Sequence, residues 1–256
     1  MTAIWILRMC VCKCKKRRGR IIVLDWSMLK NCAGRIYGAV VRFRNRADAG
    51  NALAEALAPA VRNKKEGGTL ILGIPRGGVV LADIVAGKLG AGFDIVIPRK
   101  LGAPGNEELA IGAVMADGTD YVNRYVVIAL RVKQEYIERE KEKQVAEIAR
   151  RQSKYRKAGL PYDIRGRDVV LVDDGVATGA TAIAAARWIK KQQPSSLTIA
   201  APVAPAQTVE ALKHEADSVV VLAAPADFGA VGEFYEDFAP VTDEHVMAIM
   251  LRRALL

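Results

Sequence analysis

Asp173 and Asp174 stand side by side at the end of an apolar run and open into a loop of small residues, in the stretch VVLVDDGVATGAT (169–181). Neighbouring carboxylates repel, so two of them at the end of a buried strand need hydroxyl donors or a cation to receive them. Gly175, Val176, Ala177, Thr178, Gly179 and Ala180 can wrap tightly and turn successive N–H groups inward as an anion nest. A helix starting near Ala180 adds its positive end, and the Thr178 and Thr181 hydroxyls add donors. A phosphate monoester fits such a cup. The acids beside it would repel phosphate, yet they can accept hydrogen bonds from sugar hydroxyls and hold Mg²⁺ through water. Phosphate, diol and metal in that order describe a ribose 5-phosphate group. The alternative is a pair of capping acids in an ordinary strand-to-helix loop. The loop lacks the lysine of G-x-x-x-x-G-K-[ST], and it is not G-x-G-x-x-G either.

The elements that must carry this loop alternate along the chain. GTLILGI (68–74), FDIVI (93–97), RDVVLVD (167–173), LTIAAPV (197–203) and DSVVVLAA (217–224) read as strands. Helical spacing covers 47–61, 79–91, 180–193 and 204–216, and a closing helix follows Thr242, its N-cap, with Asp243 and Glu244 in the first turn. Residues 131–157 form a long charged helix with a solvated face, and IGAVMADGTDYV reads as a hairpin turning at Asp117-Gly118. Nearly continuous apolar strands separated by helices predict a doubly wound, mainly parallel α/β sheet flanked by helices. In such sheets ligands bind beyond the carboxyl ends of the strands. IPRGG, IPRK and VDDGVATGAT each begin where a strand stops, which brings all three to one crevice.

Charge tells little about that crevice. The net charge is +10, but residues 1–46 hold 12 Lys/Arg against one acid, Asp25. The other 210 residues carry 26 basic and 27 acidic groups, so the body is neutral. Residues 1–41 therefore read as a basic, poorly ordered extension ahead of one domain, 42–256; a nucleic-acid role is confined to that extension. Cys10, Cys12 and Cys14 lack the paired spacing of a zinc site, with Cys32 further on. AIWIL is short and precedes the charge, unlike a secretory signal, and no apolar run reaches the roughly 18 residues of a membrane span. A cytoplasmic protein with reduced thiols and no membrane partner is the expectation.

VVLVDDGVATGAT resembles the thirteen-residue phosphoribosyl-pyrophosphate (PRPP) motif of type I phosphoribosyltransferases: apolar residues, two acids, two variable positions, then small-Thr-Gly-x-Thr. The overall pattern is similar to the predicted, uncharacterised branch of that family, more loosely outside this motif. The resemblance implies PRPP binding by Asp173, Asp174 and Gly175–Thr181, with Mg²⁺ as cofactor at the two acids. It implies a pyrophosphate loop in GIPRGG, where Arg76 can fork onto phosphate oxygens and Gly77 and Gly78 permit close approach; a plain turn is the alternative. It implies that Arg99 and Lys100 touch pyrophosphate, against a solvated loop base, and that a flexible loop at about 100–124 closes over the site.

The activity implied is transfer of ribose 5-phosphate from PRPP to a nitrogen acceptor, a nucleobase or related compound, with release of pyrophosphate. Arg76, Arg99 and Lys100 would neutralise the leaving group, while Asp173 and Asp174 fix the ribose and favour the positive charge developing on it. A PRPP- or nucleotide-binding regulator of the same fold, without turnover, is the second expectation. Ala177 stands where enzymes for 6-oxopurines carry an acid, which speaks against a hypoxanthine or guanine acceptor. A hood at about 225–256 holds Phe228, Phe234, Tyr235 and Phe238, which either stack on a base or pack the terminal helix. His214 and His245 read as surface residues. The family resemblance implies a homodimer.

Overall fold

The structure is a computed structural model that describes residues 21–23, 42–61, 68–156 and 163–255. The expected extension, 1–41, lies outside the described residues except for β1 (Ile21–Val23). Eight more strands follow: β2 (Thr69–Gly73), β3 (Gly92–Ile95), β4 (Arg99–Ala103), β5 (Asn106–Val114), β6 (Asp120–Val122), β7 (Asp168–Val172), β8 (Ser196–Val203) and β9 (Ser218–Ala223). The α-helices are α1 (Arg46–Val61), α2 (Gly77–Leu89), α3 (Arg124–Ala129), α4 (Gln134–Tyr155), α5 (Ala180–Lys191), α6 (Ala206–Lys213) and α7 (Asp243–Ala254).

Among the described residues, six strands form one sheet in the order β1-β9-β8-β7-β2-β3, every neighbouring pair parallel. The expected doubly wound sheet is therefore present. Successive strand residues face opposite layers. Ile71, Val170, Val172, Val220 and Leu222 pack with Leu53 and Leu57 of α1, Val79, Leu81, Ala82, Val85 and Ala86 of α2, and Val246 and Ile249 of α7. Leu70, Leu72, Val169, Leu171, Ile199 and Val221 pack on the other face against α5 and α6. Burial on both faces explains why these strands read as unbroken apolar runs. The chain leaves β2 toward β3 on one side and returns as β7 on the other, so the loops after β2 and β7 diverge and open a crevice between them.

β4, β5 and β6 make a separate antiparallel sheet. The hairpin expected at Asp117-Gly118 is its β5–β6 turn, where Gly118 has φ +82° and its N–H donates to the Met115 carbonyl. Strand β4 was not legible, because glycine weakens a strand signal. Gly112 is there because β6 comes so close that a Cβ would lie 2.2 Å from the Tyr121 carbonyl oxygen. The long charged helix begins at Gln134 rather than 131, after the separate short helix α3. Its outer face is laced as expected by Glu147 with Arg150 and Arg151, and its inner face buries Ile137, Gln144, Ile148 and Tyr155.

Candidate active site

Asp173 and Asp174 follow β7 at the mouth of the crevice. Buried Val172 ends the strand, and the Asp173 N–H continues the ladder by donating to Ala200 O at 3.2 Å. The Asp174 N–H turns back onto Asp173 Oδ1 at 2.9 Å. Burial first, and the charge of Asp174 second, push the Asp173 carboxyl well above the usual carboxylate range. A group in that position is relieved by hydroxyl donors or a cation.

The following loop is shaped from behind. Val176 is buried and its N–H donates to Val203 O, while Thr208 Oγ1 donates to Ala177 O at 2.7 Å. Gly179 takes φ +80° as the N-cap of α5, a left-handed conformation suited to glycine. Among the described residues, the N–H groups of Gly175, Ala177, Thr178 and Gly179 meet no protein acceptor. Ala177 and Thr178 are exposed. Open N–H groups ahead of a helix N-terminus form a cup for an anion.

The loop after β2 closes the other side. The Pro75–Arg76 peptide is cis, and α2 begins at Gly77. A Cβ on Gly77 would lie 1.7 Å from Asp174 Oδ2, and one on Gly78 would lie 2.7 Å from Val172 O and 2.8 Å from Asp173 Cα. The two glycines are what lets the PRGG loop and the acid pair share one wall. Arg76 is about half exposed, its Nη1 3.8 Å from Asp243 Oδ1 at the start of α7.

Arg99 and Lys100 do not act alike. They alternate on β4 and so face opposite ways. Lys100 is exposed, and its charge acts on Asp173, drawing that carboxyl downward. Arg99 Nε donates instead to Gln144 Oε1 of α4 at 2.9 Å, and burial, then the charge of Arg151, lower its pKa. The structure thus places Gly77, Gly78 and Lys100 beside 173–181, while the Arg76 side chain reaches Asp243 of α7 and Arg99 is held on Gln144 of α4. Asp120 of β6 is tied to Lys141 at 2.7 Å and to Arg187 at 3.2 Å through its carbonyl; the β4–β5 turn and the first residues of β5, 104–109, stand exposed.

Arg46, the first residue of α1, is a site neighbour the motifs did not reveal. Its Nε donates to Asp174 Oδ2 at 2.7 Å, its Nη1 donates to Ala239 O at 2.7 Å, and its guanidinium lies 3.8 Å over the Phe238 ring. The one available signal is its place: an arginine in the first helical turn opposes the helix dipole and needs a use elsewhere. Tyr235 Oη donates to the Asp174 carbonyl at 2.5 Å. The hood aromatics stack on one another, Phe228 on Phe234 and Tyr235 on Phe238, with Phe234 and Tyr235 buried. They pack the hood. His214 and His245 are exposed, as expected, and Thr242 Oγ1 caps α7 by accepting from the His245 N–H.

The phosphoribosyl transferase domain matches residues 44–238, most of the chain. The chain belongs to the phosphoribosyl transferase family. Two chains from Mycobacterium tuberculosis, strains CDC 1551 and H37Rv, named only provisionally as phosphoribosyl transferases, are each 38% identical over 210 residues, 82% of this chain. That alignment spans 46% of their length, so this chain matches about half of these relatives. The crystal structure of TT1426 from Thermus thermophilus is 47% identical, with a TM-score of 0.69 over 82% of this chain and 98% of that one. The family member thus has a fold shared with a solved relative across nearly all of that relative. No helix among the described residues is long and apolar enough to cross a membrane.

No three His, Cys, Asp or Glu side chains converge as a metal site among the described residues. Asp173 and Asp174 nevertheless fit Mg²⁺ in the form it usually takes, bound by one or two carboxylates with water and substrate phosphate oxygens. The elevated Asp173 carboxyl is the group such a cation would relieve.

Proposed function

We propose that this protein transfers ribose 5-phosphate from PRPP to a nitrogen acceptor, a nucleobase or a related amine, releasing pyrophosphate. The observation that carries the reading is the contact of the PRGG loop with the acid pair, where Gly77 leaves room for Asp174. A ligand spanning a phosphate cup, a pair of diol acceptors and a second backbone loop has the layout of PRPP. In this reading 175–181 hold the 5-phosphate, Asp173 and Asp174 fix the ribose hydroxyls, and Arg76 with Lys100 receive the pyrophosphate. Asp173 and Asp174 would hold Mg²⁺ through water, and the ion would supply charge neutralisation to the leaving group. The carboxylates favour the positive charge that grows on the ribose as the bond breaks, and no covalent protein intermediate is required. The acceptor then enters from the opposite face, and closure of residues 100–124 keeps water out.

Titration of PRPP with Mg²⁺ is expected to saturate in the wild type and to be abolished by Asp173→Asn with Asp174→Asn. Unchanged affinity in the double variant removes the site assignment. The attachment of Arg99 to Gln144 favours a second reading, a PRPP- or nucleotide-binding regulator without turnover, because one expected pyrophosphate contact is held off the site. A screen of bases and amines for pyrophosphate release separates the two: release with any acceptor establishes the enzyme, and tight PRPP binding with none establishes the regulator.

A further inference from the structure

Asp174 is the one site acid gripped from both sides by groups outside the loop that carries it. Its carboxylate receives Arg46 Nε at 2.7 Å, with the two side chains only 12% and 15% exposed. Its carbonyl receives Tyr235 Oη. Arg46 is in turn fixed at three points: Asp174, the Ala239 carbonyl and the Phe238 ring. Phe238 stacks on Tyr235 with ring centroids 4.9 Å apart, which closes a ring of contacts from the acid through the hood and back. The pyrophosphate-side loop touches the same point, since a Cβ on Gly77 would lie 2.9 Å from Arg46 Nε. An arginine that forks between a carboxylate and a carbonyl and lies flat on an aromatic ring has few orientations left, so it transmits position as well as charge.

We propose that Arg46 is a positioning residue: it presents Asp174 to the ribose side of the donor and makes that presentation depend on the seating of the hood. The inference rests on the PRPP reading above. Arg46 need not touch the ligand. It takes Oδ2 of Asp174, sets the plane of the carboxylate, and stops that carboxylate from swinging toward Asp173 or the solvent. Because the same guanidinium carries Phe238 and Ala239, a hood out of place loosens the acid that faces the donor. Binding on the hood side and donor binding are thereby linked through one side chain.

The test compares PRPP with Mg²⁺ and pyrophosphate without it, so that pyrophosphate cannot reach Asp174 through a cation, by calorimetric titration of wild type, Arg46→Ala, Arg46→Lys and Phe238→Leu, alongside thermal unfolding. Pyrophosphate uses the PRGG side and has no ribose for Asp174 to hold. Arg46→Ala is expected to weaken PRPP about tenfold or more while pyrophosphate changes by less than about twofold. Arg46→Lys, which keeps the charge and loses the fork, is expected to recover part of the loss. Phe238→Leu is expected to give a smaller loss of the same kind. Unchanged PRPP affinity in Arg46→Ala overturns the inference, and so does an equal loss for both ligands that tracks the loss of thermal stability. Wild-type protein that binds no PRPP overturns the functional reading beneath it instead.

Discussion

Gly77→Ala sets two physical effects against each other and lets the site decide. Gly77 is the first residue of α2, and on helix propensity alone alanine favours the folded state by about 1 kcal/mol. The added methyl, however, would lie 1.7 Å from Asp174 Oδ2 and 2.4 Å from Asp174 Cγ, where ordinary contact begins at 3.4 Å. The carboxylate must retreat, and Arg46 Nε, 2.9 Å from the new atom, must yield with it. That opens the 2.7 Å pair. Breaking a buried pair by deleting one partner costs about 3–5 kcal/mol; both partners survive here and keep some access to solvent, so about 3 kcal/mol is the figure to use. Set against the propensity gain, about 2 kcal/mol of destabilisation remains, a Tm lowered by roughly 4–8 °C for a domain of this size. The displaced acid should also weaken PRPP about tenfold or more. Gly87→Ala, in the same helix, is the control: its methyl would meet one side-chain atom, Arg253 Nη2 at 3.0 Å, which is bonded to Asp83 but need give only a few tenths of an ångström, so Tm should fall far less. Thermal unfolding and PRPP titration of both variants decide the matter. A Gly77→Ala protein as stable as Gly87→Ala, with wild-type affinity, refutes the reasoning.

The opposite faces of β4 predict a split between its two cations. Lys100→Ala should weaken PRPP and pyrophosphate about tenfold with stability within about 0.5 kcal/mol of wild type, whereas Arg99→Ala should cost about 1–3 kcal/mol in urea unfolding, because it leaves the buried Gln144 Oε1 of α4 without its donor. A Lys100→Ala protein that binds both ligands like wild type would remove Lys100 from the site. At alkaline pH, Tyr155 supplies a separate check. Burial, then the hydrogen bond to Asp243 and its charge, push the Tyr155 hydroxyl from 10.0 up to about 12. A raised pKa means the protonated phenol is the form that folding favours, so this stability is present below about pH 10 and lost as pH rises toward 12. The stability difference between wild type and Tyr155→Phe, followed by denaturant midpoint, should shrink across that window; a difference constant from pH 9 to 12 would contradict it.

Much of this is written into local sequence because the parts concerned are made by local sequence. Apolar runs such as VVLV and TLILG become buried strands wherever a sheet accepts them, and the small residues after Asp174 can only wrap. The order of such strands and helices carries the convention that loops at the carboxyl ends share a crevice, so the meeting of PRGG with the acid pair was legible before any distance was known. What remained hidden were relations between residues far apart in the chain. Arg46 and Asp174 are 128 positions apart, and Arg46 and Ala239 are 193 apart. Arg46 belongs by sequence to the basic N-terminal run, and only the packing of α1 against the hood turns one of those charges onto a site acid. Arg99 and Lys100 are adjacent and chemically alike, so no pattern distinguishes them; the pleat of β4 and the position of α4 send one to Gln144 and leave the other near Asp173. Sequence alone determined the buried strands, the tight small-residue loop and the paired acids, because each is a property of a short segment. Tertiary structure alone decided which cations serve them, because a long charged side chain takes its partner from whatever the fold brings within its reach.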